Sequence, residues 1–112
     1  MRILSLKEIF SRKYGESTRW RAKALSKNVF LDYITKRHVS FFVIDDARGT
    51  RHNVIYRSYR EAPLDWDCDC KWYATQAKRT RKYCAHILAV NLRLNKDKDL
   101  REKILSALSK FI

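Results

Sequence analysis

The sequence predicts a small α+β domain, and three observations carry that expectation. Two β-rich runs, HVSFFVID and VIYRSYR, flank the turn-forming stretch DDARGT. The segments before and after them space their apolar residues at helical intervals. All three cysteines fall in one stretch, DWDCDCKWYATQAKRTRKYCAHILAV, residues 65–90. A chain of 112 residues fits one compact domain, and with two glycines and one proline it shows no linker or low-complexity tract. A domain this short buries only roughly 60 to 70% of its unfolded surface, so any crosslink matters.

Taken in order, Leu4, Leu6, Ile9 and Phe10 are spaced for one short amphipathic helix that Tyr14 and Gly15 end. Ser17 or Thr18 is expected to cap a second helix, in which Trp20, Ala24, Leu25, Val29 and Ile34 recur at helical intervals within TRWRAKALSKNVFLDYI. A β-hairpin is expected at residues 38–44 and 53–60, because Asp45, Asp46 and Gly49 suit its turn. Val54 and Tyr56 alternate there with Ile55 and Arg57, so one face can be buried, and Pro63 closes the segment. After His86 the helical spacing returns, with Ile87, Val90, Asn91 and Leu94 on one side. Asp99 and Glu102 mark a last helix whose apolar stripe is Leu100, Ile104, Leu108 and Phe111.

No apolar run approaches the ~20 residues that span a bilayer. The N-terminal stretch MRILSLKEIFSRKYGE breaks its apolar residues with charges and lacks the core of a secretory signal. The chain is therefore expected inside the cell, in the cytoplasm, nucleoid or nucleus, with no membrane partner. The formal charge of +13, from 25 Lys and Arg against 12 Asp and Glu, points to a polyanion.

An intracellular chain with an odd cysteine count argues against disulfides and for metal binding. Cys68 and Cys70 are separated by one residue, as are Cys84 and His86, with thirteen residues between the pairs. Such spacing puts both side chains of a pair on one side of an extended chain but about 200° apart on a helix. Cys68 and Cys70 therefore fit a strand or tight turn, and Cys84 fits the residue ahead of a helix whose first turn carries His86. Three thiolates and an imidazole make a tetrahedral donor set suited to structural Zn2+, with no open position for catalysis. No enzymatic role is expected. His38 and His52 lack a spaced partner and are expected at the surface near the hairpin ends. The fold class is thus a small zinc-stabilised α+β domain: N-terminal helices over 1–36, a zinc module of hairpin, CxC/CxH site and helix over 37–96, and a C-terminal helix over 97–112.

The residues WDCDC and CAHILAV resemble the SWIM zinc finger, whose signature is C-x-C, a variable spacer, then C-x-H. Trp66 lies two before the first cysteine, a hairpin precedes it, and a hydrophobic helix follows His86, so that the resemblance runs over about residues 38–95. Ala89 matches the C-x-H-x-x-A form seen in SWIM proteins that assist recombinases. The resemblance implies a ββα zinc-bound module.

The spacer KWYATQAKRTRKY carries Lys71, Lys78, Arg79, Arg81 and Lys82 without an acidic residue, and interleaves Trp72, Tyr73 and Tyr83. Cations of this kind neutralise phosphates while aromatic rings stack on bases. The stretch is expected to be a basic loop that contacts nucleic acid, joined by Arg19, Arg21, Lys23 and Lys27 from the second helix. Trp72 and Tyr73 are each expected to pack inward. Asp65, Asp67 and Asp69 alternate with the cysteines and should face away from the metal as a phosphate-repelling surface. The expected function is that of a small nucleic-acid-binding protein, DNA rather than RNA, acting as a regulatory or architectural factor. The alternative is an interaction module whose partner is a transcription component or a RecA/Rad51-type recombinase.

Overall fold

A computed structural model of the chain describes residues 1–111, apart from the side chain of Lys78. Four antiparallel strands lie in sequence order: β1 (Val29–Ile34), β2 (His38–Asp45), β3 (Thr50–Arg57) and β4 (Trp66–Cys68). Five α-helices complete it: α1 (Leu6–Ile9), α2 (Glu16–Leu25), α3 (Lys71–Thr80), α4 (Ala85–Lys96) and α5 (Lys98–Ser109).

The expected hairpin is β2 and β3, paired from His38↔Arg57 to Asp45↔Thr50. Its turn is built by Asp45, whose carboxylate accepts the Arg48 N–H at 3.3 Å, and by Gly49 at φ 62. A side chain at Gly49 would be strained in that left-handed conformation. The strands alternate as the sequence suggests, with Val39, Phe41, Val43, Val54, Tyr56 and Trp66 buried on one face.

Helix α4 crosses that face and touches all four strands as well as α1, α2 and α5. Its residues from Ala85 to Leu92, and Leu94, are buried. A helix apolar nearly all round is one enclosed on every side. Each fully buried Leu or Ile there contributes about 1.5–3 kcal/mol of transfer free energy. Two amides of α4 have partners in the N-terminal segment. Asn91 Oδ1 accepts the Leu4 N–H at 2.8 Å, and Asn95 Nδ2 donates to the Leu4 carbonyl at 2.7 Å.

Three features differ from the sequence reading. The segment Val29–Ile34, expected as the end of the second helix, is a strand. Its β-branched and aromatic residues pair with β2 from Val29↔Val43 to Ile34↔Val39, and that pairing overrides an apolar spacing compatible with a helix. Helix α2 instead stops at Leu25, followed by a 3-10 turn at Ser26–Asn28. The caps also shift. Gly15, not Ser17 or Thr18, precedes α2, and Asp97, not Asp99, opens α5 by accepting the Leu100 N–H at 3.0 Å. Finally, the spacer between the ligand pairs is helix α3 rather than a loop.

The short first helix is present, with Leu4 and Ile9 buried but Leu6 and Phe10 exposed. In α5 the stripe holds for Ile104, Leu100 and Leu108, whereas Phe111 is exposed. No helix among the described residues is long and apolar enough to cross a membrane.

Candidate metal centre

Each ligand pair sits where extended backbone meets a helix start. Cys68 ends β4, held opposite Val54 on β3, so its side chain joins the buried face of the sheet. Cys70 is the cap of α3 in extended conformation, and its Sγ accepts the Tyr73 N–H at 3.4 Å. Cys84 is likewise the extended cap of α4, and His86 lies in the first turn of that helix. The one-residue spacing thus works as the sequence suggests. The helix-start position also favours a thiolate at Cys70, since free N–H groups point toward it.

The four donor atoms lie within 4.8 Å of one another, and all four residues are buried. In a tetrahedral site with Zn–S near 2.3 Å the donors stand roughly 3.8 Å apart, and Cys84 Sγ lies 3.9 Å from His86 Nδ1. None of the cysteines forms a disulfide. The buried Cys3His set fits structural Zn2+ in donor type, number and spacing.

The thiols hydrogen-bond one another. Hydrogen bonds to Cys70 and Cys84, with burial added, hold the proton on Cys68. Cys70 is pushed far down because Cys68 and Cys84 donate to it. Burial pushes the Cys84 thiol up to about 12. A metal must therefore displace protons that the cluster otherwise shares, and its binding energy is spent on organising the fold.

The surroundings correct several expectations. His52 is no peripheral surface residue: its ring centre lies 4.2 Å from that of His86, and its Nδ1 is 3.1 Å from Asp69. It flanks the ligands without joining them. Its place is legible in retrospect, since His52 sits two residues before Val54 on β3 and so shares the face that meets Cys68. His38 by contrast packs edge-on to Tyr59, at 5.7 Å between ring centres.

The three aspartates make no repelling face. Asp65 is buried, accepting from Tyr83 Oη at 2.7 Å and from Arg2 at 3.2 Å. Asp67 pairs with Arg57 at 2.6 Å, and Asp69 pairs with His52. Tyr73 packs partly inward, its hydroxyl donating to the Trp66 carbonyl at 2.6 Å. Trp72 does the opposite of what its sequence position suggests and is 43% exposed.

The basic residues named from the sequence do not form one patch. Arg79 and Arg81 are exposed at the C-terminal end of α3, where Arg81 adopts a left-handed φ of 55. The Lys78 side chain lies outside the described residues. Lys71, Lys82 and Arg21 border an open cleft of about 660 Å³ beside the metal ligands, together with Lys13 and Arg48. Arg21 is tied there to Asp45 at 3.2 Å. Arg19 and Lys23 lie on a separate groove with Phe10 and Trp20, and Arg19 donates to the Phe10 carbonyl at 3.3 Å. Lys27 is exposed near Arg93 and Lys96.

A buried, closed Cys3His set formed by a strand end and two helix starts defines a structural zinc finger. Residues 52–95, from β3 into α4, match the family model of the SWIM zinc finger and hold all four ligands of the cluster. The match starts within the hairpin's second strand, so that β1, β2 and α2 lie outside it and the covered span is shorter than the 38–95 of the sequence resemblance. No curated protein and no solved structure matches the chain.

Proposed function

We propose that the chain is a zinc-stabilised module that binds nucleic acid, DNA rather than RNA, in a regulatory or architectural role and without catalysis. The observation that supports this most directly is that Lys71, Arg79, Arg81 and Lys82 have no carboxylate partner among the described residues. On a chain of net charge +13, cations left free on one zinc-anchored segment are available to phosphates. A salt titration of binding to single-stranded and duplex DNA tests it. Contact with roughly five phosphates gives a log-log slope of about −4 to −5 on a duplex. Binding that is weak and indifferent to salt overturns the reading.

A second reading has its own observation. Trp20 is 62% exposed beside exposed Phe10, and both line one groove. Exposed tryptophan in a concave surface suits a protein contact. A recombinase is the kind of partner that the Ala89 form of the SWIM resemblance suggests for that role, and a transcription component is the other candidate. Binding to such a partner that Trp20→Ala abolishes, with no affinity for nucleic acid, favours it.

A further inference from the structure

We infer that the cleft beside the zinc centre takes single-stranded nucleic acid, with Trp72 stacking on a base and Lys13, Arg48, Lys71 and Lys82 holding the adjoining phosphates. This rests on the nucleic-acid reading and names the site and strandedness that the reading leaves open. The cleft, about 660 Å³, is walled by four parts of the fold that the sequence holds far apart: the entry to α2, the β2–β3 turn, the start of α3 and the entry to α4.

Its charge is one-sided. Lys13, Arg21, Arg48, Lys71 and Lys82 line it, and no carboxylate does so among the described residues. Asp45 behind the wall offsets one of these charges by pairing with Arg21 and Arg48. A zinc ion held by three thiolates is formally −1 and offsets another. Asp69, 3.1 Å from His52 of the lining, offsets a third, and an excess of two positive charges stays focused in a concave surface, where low-dielectric walls strengthen the field.

Strandedness follows from Trp72. Its indole lines the cleft and is 43% exposed, although neighbouring Tyr73 is turned inward. An aromatic ring in a cationic groove binds by stacking only on a base whose face is free, and a duplex hides those faces against neighbouring pairs. Arg79 and Arg81 lie outside the cleft and meet only the flanking backbone.

The experiment measures binding of the zinc-loaded 112-residue chain to oligodeoxyuridylate, oligouridylate and a DNA duplex of equal length. Trp72→Ala, Trp72→Phe, Lys13→Ala/Lys82→Ala and Arg79→Ala/Arg81→Ala are compared with the parent, each checked for unchanged zinc content. The expected result is tighter binding of the single strands. Loss of one stacked base in Trp72→Ala weakens it about 5- to 150-fold, and Trp72→Phe restores most of that. The lysine pair flattens the single-strand salt slope by about 1.4. Tighter binding of either single strand supports the assignment, and the better one identifies the sugar. Nucleic-acid binding that ignores Trp72, Lys13 and Lys82 but falls with Arg79 and Arg81 overturns the cleft and leaves the function standing. Absence of binding to all three probes overturns both.

Discussion

Helices α2 and α3 have the same length and similar basic character, yet different forces hold them. Helix α2 buries Ala22 and Leu25 and packs along α4. Helix α3 has no buried side chain among those described, and its recurrent contact is with the three-residue strand β4. Apart from Tyr73, which packs against the core and donates to the Trp66 carbonyl, what fixes α3 lies at its two ends. Cys70 caps its start, and Cys84 stands four residues beyond its last turn. One helix is held by apolar area and the other by a metal, so the two should respond to different insults.

The largest effect is expected from Cys70→Ser or from chelation, because structural zinc sites carry roughly 10–16 kcal/mol of apparent binding free energy in finger peptides. Metal content by mass spectrometry should fall below one zinc per chain, with a large drop in melting temperature. An unchanged melting temperature would end the argument that zinc organises this segment. Next in size, Leu25→Ala should destabilise by about 2–5 kcal/mol through lost burial and a cavity. Denaturant unfolding should show this while zinc stoichiometry stays the same, and loss of zinc in that variant would mean that the two helices are not held independently.

A smaller effect is expected at Asn91, the buried amide that joins the N-terminal segment to α4. Asn91→Leu leaves the Leu4 N–H without its acceptor, at a cost of about 1–3 kcal/mol. Equal stability in urea would show that water or another carbonyl takes over. The smallest effect on folding belongs to Arg79→Ala/Arg81→Ala. Both are exposed, so stability should stay within about 0.5 kcal/mol while affinity for nucleic acid falls.

The same contrast explains what was legible in the sequence. The ligands could be read because one-residue spacing has a direct geometric meaning, and the hairpin because two alternating runs flank a turn that needs Asp45 and Gly49. Helix α3 was hidden. The inward face of KWYATQAKRT is Tyr73, Gln76, Ala77 and Thr80, so half of its stripe is polar, and its start depends on a cysteine acting as cap. Strand β1 was hidden for the opposite reason, since Val29 and Ile34 fit a helical spacing and only pairing with β2 decides between the two periods. The burial of Asp65 rests on Arg2 and Tyr83, and the cleft on residues from Lys13 to Lys82; neither leaves a local pattern. His52 could have been placed from the two-residue period of β3, once Val54 was known to face Cys68.

The most direct test of the account is hydrogen exchange on the zinc-loaded protein during stepwise chelation, with the metal counted at each step. The account predicts that amides of residues 71–80 lose protection as zinc leaves, at chelator concentrations where α2 and β2 remain protected. Protection of 71–80 that persists after the zinc is gone, or that falls only together with α2, would contradict it.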